Sequence, residues 1–219
     1  MTLDTLLLDA GNCIIYLDHA ALGEVTGLDA QLLAEKEGAA KRVYEEFLAQ
    51  NADHDPAWEV LMKAMFREVS APDVDAAYAK ALAAHTERNF WRRVPPELPD
   101  ALRKIRAAGW KTGVVSNSEG KLIDILTEVG VAELFDTIVD SGVEGVSKPD
   151  PAIFHLALDR LGSSAERAIY AGDVPKVDVV GARAAGVEAV LIDTLDHYPD
   201  YDDAPRYRTT AELIDFLLS

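Results

Sequence analysis

The chain has 219 residues, of which 49% are hydrophobic, and it carries a formal net charge of −17 at pH 7. This length suits one domain with an insertion, and the hydrophobic share is enough to build a substantial core. The excess of carboxylates argues against nucleic acid and against anionic membranes as partners, because both bind through Lys and Arg.

The remaining bulk features favour a cytoplasmic protein. Cys13 is the one cysteine of the sequence, so no internal disulfide can form, which fits a reducing compartment. The first residues include Asp4 and lack the basic segment of a secretory signal. No apolar run approaches the ~18 residues of a membrane span, and the sequence leaves monomer and homodimer open.

The first predicted element is a buried strand. Residues 6–8 are three consecutive leucines, as expected for a strand that is covered on both faces. Asp9, Gly11 and Asn12 follow directly and predict a tight loop. This loop would hold a carboxylate at the carboxyl end of the strand, which is the edge where open α/β sheets bind ligands.

An α-helical block follows over residues 17–93. Apolar residues recur there at spacings of three and four, and no strand pattern appears. Pro95, Pro96 and Pro99 then form a stiff connector that ends the block. We therefore predict a helical cap domain at 17–93, inserted into a core domain at 1–16 and 94–219, with the cap over the carboxyl edge of the core sheet.

The rest of the chain alternates between strands and helices. We predict strands at 111–115, 137–139, 167–171 and 187–192, and helices at 100–108, 119–129, 151–161, 174–185 and 210–218. Such repeats form a parallel sheet with helices on both faces. The predicted fold is thus α/β, a Rossmann-like parallel sheet of about five strands with an inserted α-helical cap.

Four polar motifs each follow an apolar stretch and should meet at one sheet edge. They are Asp9-Ala10-Gly11-Asn12, Ser116-Asn117-Ser118, Ser147-Lys148-Pro149, and Gly172-Asp173 with Asp178 shortly after. Asp9 and Asp173 would form an all-oxygen pocket for Mg²⁺. Lys148 and the Ser116 hydroxyl would hold phosphoryl oxygens, and an Asp can attack phosphorus to give an aspartyl-phosphate. The set therefore predicts phosphoryl transfer.

In this order and spacing, the four motifs resemble those of the haloacid dehalogenase-like (HAD) hydrolase superfamily, and the helical block resembles the helical cap of its subfamily I. The resemblance implies that the first strand is central in the sheet. It also implies that Asp9 is the nucleophile and a magnesium ligand, that Ser116 donates to the phosphoryl group, that Lys148 stabilises charge and that Asp173 is the second carboxylate ligand. Asp178 would not bind the metal directly but would contact the waters bound to it, or Lys148.

Other motif residues complete this predicted site. The main-chain carbonyl of Gly11 would bind magnesium, and Asn12 and Asn117 would join Ser116 and Lys148 in binding phosphate. The predicted substrate is a phosphorylated small molecule.

The sequence departs from the family pattern at Gly11. Phosphatases of the family usually carry there a second Asp, which protonates the leaving group and then activates water. Positioned acid–base catalysis contributes roughly 10²–10⁴-fold, so its loss would slow turnover on alkyl phosphates. Asp18, His19 or His54 could supply the proton instead.

Two other functions remain open at the sequence level. A member that has lost turnover would bind a phosphorylated ligand or a partner protein without cleaving it, and Gly11 favours this alternative. Dehalogenases of the family also lack the second Asp and need no metal, but their fourth motif does not carry Gly-Asp. Asp173 would repel the carboxylate of a haloacid if no cation were present, so it favours the metal-dependent phosphatase.

Overall fold

A computed structural model describes residues 2–50 and 57–219, with the main chain alone at 48–50. The chain divides into two compact units, one formed by Met1–Tyr16 with Arg92–Ser219 and the other by Leu17–Trp91. We refer to them as the core unit and the helical unit.

The strands and helices of both units are as follows. The strands are β1 Thr5–Leu8, β2 Tyr16–Leu17, β3 Trp91–Arg93, β4 Lys111–Ser116, β5 Thr137–Asp140, β6 Ala168–Gly172, β7 Glu188–Ile192 and β8 Arg206–Tyr207. The helices are α1 His19–Thr26, α2 Ala30–Gln50, α3 Ala57–Glu68, α4 Val74–Glu87, α5 Leu98–Ala107, α6 Leu122–Glu128, α7 Ser141–Glu144, α8 Pro151–Leu161, α9 Val180–Ala184 and α10 Thr210–Leu217. Short 3₁₀ turns lie at Ala132–Leu134 and Ala165–Arg167.

The core unit is built on a six-stranded sheet in the order β5-β4-β1-β6-β7-β8. Every neighbouring pair in it runs parallel. The predicted Rossmann-like parallel sheet is therefore confirmed, with one strand more than the five predicted. The additional strand, β8, is two residues long and lies within a polar loop, so it carries no alternation from which it could be recognised.

Strand β1 lies between β4 and β6, and its leucines are fully buried. Leu8 is level with Val114 of β4 on one side and with Ala171 of β6 on the other. The residue after Leu8 is therefore flanked by the carboxyl ends of both neighbouring strands. This register is what brings three distant motifs to one place.

The helices of the core unit cover the sheet with apolar side chains. Phe154 and Leu158 of α8 and Ala182 of α9 belong to the same buried cluster as Tyr170 and Leu191 of the sheet. The helix predicted at 174–185 is different in the structure: a turn of π-helix at Pro175–Val179 precedes the short helix α9. Extra turns of this kind inside helices often accompany functional sites.

The helical unit has a hydrophobic core of its own. Leu33 of α2, Met62, Met65 and Phe66 of α3, and Ala81 of α4 are completely buried and form one cluster. In the part of the chain that the structure describes, no helix combines the length and the apolar character needed to cross a membrane.

Candidate active site

Asp9 follows β1 directly and is nearly inaccessible to solvent. Its main-chain N–H donates to the carbonyl of Ala171 on the neighbouring strand, at 2.8 Å. The residue as a whole is 8% exposed. The chain then turns sharply, because Asn12 adopts a left-handed conformation with φ of 54° and its N–H donates to the carbonyl of Ile15 at 2.8 Å. Asn tolerates this conformation better than most residues.

Lys148 lies between two carboxylates. Its ammonium nitrogen is 2.7 Å from Oδ1 of Asp9 and 2.7 Å from Oδ1 of Asp178, and the lysine side chain is 2% exposed. A charge buried to this degree is stable only when it is paired and hydrogen-bonded. The contact with Asp178 has hydrogen-bond geometry, whereas the contact with Asp9 is an ion pair whose angle is poor for a hydrogen bond.

Both oxygens of Asp178 are engaged within the protein. Oδ1 accepts from Lys148, and Oδ2 accepts from the main-chain N–H groups of Asp173 and Val174 at 3.0 and 2.8 Å. The carboxylate packs against Gly172 so closely that a Cβ added to this glycine would lie 2.2 Å from Cγ of Asp178. The Gly-Asp motif thus requires glycine at position 172, because a larger residue would collide with Asp178. Asp178 in turn fixes the main chain that follows this glycine.

Three carboxylates form a group that could hold a metal ion. Asp9, Asp173 and Asp178 each offer an oxygen, and these atoms lie within 4.8 Å of one another. Because Asp178 is already bonded on both oxygens, Asp9 and Asp173 are the better pair of direct ligands. Asn12 donates from its amide to Oδ2 of Asp173 at 2.9 Å. Hard oxygen ligands of this kind suit Mg²⁺.

The electrostatics of the site follow from burial and pairing. Burial raises the pKa of the Asp9 carboxyl above its ordinary value, and the nearby Lys148 opposes this effect. Burial acts to lower the pKa of Lys148, but Asp178 and Asp9 outweigh it and raise this pKa above its usual range. The lysine therefore stays protonated at neutral pH. A divalent cation beside Asp9 would favour its ionised form.

The second motif lies at the end of β4. Ser116 is the last residue of this strand and is 4% exposed. The amide of Asn117, predicted to bind phosphate, is bonded to the main chain of Lys148: it accepts from the N–H at 2.8 Å and donates to the carbonyl at 2.9 Å. These two bonds fix the position of the lysine, so Asn117 contributes to the site through Lys148.

Two residues of this region were missed from the sequence. Asp140 ends β5 and accepts from the N–H groups of Gly120 and Leu122 at 3.1 and 3.0 Å, so it holds the loop that follows Ser116. Tyr170, inside β6, places its hydroxyl 2.9 Å from Nζ of Lys148 and 2.8 Å from Oδ1 of Asp178. A polar atom in an otherwise apolar strand was the available signal for Tyr170, since buried tyrosines bond their hydroxyls.

Two of the three alternative proton donors, Asp18 and His19, belong to the helical unit. Asp18 is the N-cap of α1 and accepts from the N–H of Ala21 at 3.0 Å. His19 pairs with Glu37 at 2.9 Å. Both contacts lie within the helical unit, and His54 lies outside the described residues.

Comparison with known proteins gives the same family as the motifs. The profile of the haloacid dehalogenase-like hydrolase family matches residues 4–186. The haloacid dehalogenase-like hydrolase domain-containing protein 3 of Danio rerio is 33% identical over 162 residues, which are 72% of this chain and 66% of that protein. The glyceraldehyde 3-phosphate phosphatase of Methanothermobacter thermautotrophicus is 28% identical over 193 residues, 88% of this chain and 83% of that enzyme.

A solved structure supports the fold. A HAD phosphatase from Thermococcus onnurineus superimposes with a TM-score of 0.64 at 23% identity, over 99% of this chain and 98% of that one. At this identity the likeness concerns the fold alone. The chemistry has to be argued from the residues at the sheet edge.

Proposed function

Because this chain belongs to the haloacid dehalogenase-like hydrolase family, we propose that it is a magnesium-dependent phosphatase that cleaves small phosphate monoesters through an aspartyl-phosphate on Asp9. The observation that carries the proposal is the approach of Asp9 and Asp173, whose oxygens lie within 4.8 Å of each other and of Asp178. Two buried carboxylates so close together repel each other unless a cation lies between them. Phosphatase activity of a relative supports the same chemistry.

Each residue of the site has a role in this reaction. An oxygen of Asp9 attacks phosphorus, the bond from phosphorus to the ester oxygen breaks, and the bonding electrons leave with that oxygen. Ser116 and Lys148 hold the remaining phosphoryl oxygens as charge shifts onto them. Water then cleaves the aspartyl-phosphate, which releases phosphate and restores Asp9. Asp9, Asp173 and the carbonyl of Gly11 would hold Mg²⁺, which would supply positive charge to the phosphoryl oxygens.

Gly11 shapes the substrate preference that we propose. Glycine has no acid to offer, so the leaving oxygen departs as an anion, or takes its proton from water or from a group outside this motif. Substrates whose leaving group is a weak base are therefore favoured over alkyl phosphates. A positioned acid contributes roughly 10²–10⁴-fold, so the activity on alkyl phosphates should be low but measurable.

The helical unit and the surroundings complete the proposal. We assign Leu17–Trp91 the role of a cap that selects the substrate. A phosphorylated small metabolite fits the named substrate of the phosphatase relative. We expect the protein to act in the cytoplasm, as a monomer or a homodimer, where the single buried thiol of Cys13 stays reduced.

Hydrolysis of p-nitrophenyl phosphate tests the proposal, because its leaving group needs no acid. We expect release of nitrophenol with Mg²⁺, none with a chelator, and none from Asp9→Asn under either condition. Turnover that persists without metal would refute the metal-dependent mechanism.

Two rival functions predict different results. A non-catalytic phospholigand- or partner-binding protein, which Gly11 favours, would bind phosphate esters with Mg²⁺ but release no phosphate from them. A dehalogenase would release chloride from 2-chloropropionate in the presence of chelator. The juxtaposition of Asp173 and Asp9 argues against the dehalogenase, because a second carboxylate repels a haloacid.

A further inference from the structure

Tyr170 is a buried polar group that the proposed reaction does not use. It lies within β6, between β1 and β7, and is fully inaccessible to solvent. Its ring packs edge-on against Phe154, with the ring centroids 4.9 Å apart. The ring is thus fixed by the hydrophobic core, and only its hydroxyl reaches the charged site.

The hydroxyl of Tyr170 closes a triangle with two charged groups. It accepts from Nζ of Lys148 at 2.9 Å and lies 2.8 Å from Oδ1 of Asp178, which itself accepts from Lys148 at 2.7 Å. The carbonyl of Val115 is a more distant acceptor at 3.2 Å. If the hydroxyl needed only a partner in the core, this carbonyl would be enough. The two shorter contacts are both to the charged pair.

These contacts divide the three N–H groups of the lysine into two kinds. Those directed at Asp178 and Tyr170 have hydrogen-bond geometry, whereas the contact with Asp9 at 2.7 Å is poorly aligned. The contact with Asp9 is therefore the one that a phosphoryl oxygen can replace at least cost. The other two hold the ammonium in place while this exchange occurs.

We propose that Tyr170 is a positioning residue for Lys148, whose hydroxyl directs one ammonium N–H away from Asp9 and so keeps the lysine available to the phosphoryl group. Without the hydroxyl, the carboxylates of Asp9 and Asp178 are the remaining strong acceptors for that N–H. The ammonium then shifts toward Asp9, where it competes with the phosphoryl group. This inference rests on the proposed function, since it concerns how Lys148 meets the phosphoryl group.

Two variants separate the hydroxyl from the ring. Tyr170→Phe removes one oxygen and keeps the ring, while Phe154→Leu loosens the packing of the same ring and keeps the oxygen. We measure kcat and KM for p-nitrophenyl phosphate with Mg²⁺, and urea unfolding, for both variants and the wild type. We expect kcat of Tyr170→Phe to fall by about tenfold or more, in line with hydrogen bonds to charged groups, and KM to change by less than about threefold.

Phe154→Leu should be the less stable variant and should keep kcat within about threefold of the wild type. A Tyr170→Phe variant with the kcat of the wild type overturns the inference. So does a Phe154→Leu variant that loses as much kcat as Tyr170→Phe, because packing alone would then explain the loss. A wild type that hydrolyses nothing contradicts the proposed function instead.

For an inactive wild type, calorimetric binding of orthovanadate in Mg²⁺ is the second measurement, because this anion mimics the phosphoryl group in the transition state. We then expect Tyr170→Phe to bind orthovanadate about tenfold more weakly than the wild type and Phe154→Leu to match the wild type. Equal binding by Tyr170→Phe overturns the inference in this case too.

Discussion

The side-chain amide of Asn117 bonds both polar groups of the Lys148 main chain. It accepts from the N–H of Lys148 at 2.8 Å and donates to the carbonyl of Lys148 at 2.9 Å. The two residues are 31 positions apart in the chain and belong to different motifs. The lysine that neutralises Asp9 is therefore positioned by the loop that directly follows Ser116. Geometry of this kind couples the second motif to the third.

Replacing Asn117 should impair catalysis through Lys148. We expect Asn117→Ala to lower kcat on p-nitrophenyl phosphate by about tenfold, because it frees the main chain that carries the lysine, and small misplacements of catalytic groups have large effects. Ser118→Ala is the matched control in the same loop, since its hydroxyl makes no hydrogen bond within the described residues. Equal rates for the wild type and Asn117→Ala would show that the two hydrogen bonds to the main chain of Lys148 are not needed for catalysis.

Introducing an acid at position 11 should extend the activity to alkyl phosphates. We expect Gly11→Asp to raise turnover on alkyl phosphates by about tenfold or more, because the leaving alkoxide would receive a proton. Turnover of p-nitrophenyl phosphate serves as the internal control and should change much less. If the alkyl phosphates show no gain, another group already supplies the proton.

The glycine of the fourth motif should tolerate no side chain. We expect Gly172→Ala to be strongly destabilising, because the new Cβ would lie 2.2 Å from Cγ and 2.5 Å from Cβ of Asp178. Gly130→Ala is the control, since no atom lies within 4 Å of its added Cβ and only its φ of 76° is unfavourable. Strain of that kind costs about 1–2 kcal/mol. Urea unfolding of both variants measures the difference, and a smaller loss at Gly172 would contradict the packing described for Asp178.

Asp136 should stabilise the core unit at neutral pH, and this contribution should be lost in acid. Although burial opposes it, hydrogen bonds from the N–H of Thr112 and from Arg106 lower the pKa of its carboxyl. A pKa depressed by folding contributes stability above the unfolded value of about 3.9, and this contribution is lost as the pH falls through the folded pKa.

Thermal unfolding of the wild type and Asp136→Asn should therefore differ at pH 7 and converge below about pH 4. Asp215→Asn removes the same charge from the exposed end of α10, so an effect common to both variants reports net charge alone. A difference that grows as the pH falls would contradict the assignment.

Much of the sheet could be predicted from the sequence, because its buried strands contain short runs of apolar residues. Leu6, Leu7 and Leu8 illustrate this: they are completely buried between two parallel neighbours. The first strand is central, as the family resemblance implied. Strand β8 could not be found in this way, since Arg206 and Tyr207 join the sheet through two main-chain positions only.

In the site too, the charged residues could be predicted from local motifs, whereas their long-range contacts could not. Asp9, Lys148, Asp173 and Asp178 could be selected because each charged residue follows an apolar stretch, and the structure brings all four together. The attachment of Asn117 to a main chain 31 residues away is not visible in any local pattern. The orientation of the Asn117 amide depends on how its loop packs against a distant part of the chain, which a local pattern does not contain. The catalytic roles of these residues stay predictions until the variants are measured.

We propose above that Asp9 and Asp173 share one divalent ion, and a crystal structure of the protein grown with Mg²⁺ is the decisive measurement. We expect an ion with an oxygen of each carboxylate at about 2.1 Å. Carboxylate oxygens of the two residues more than about 6 Å apart, with no ion between them, would contradict it.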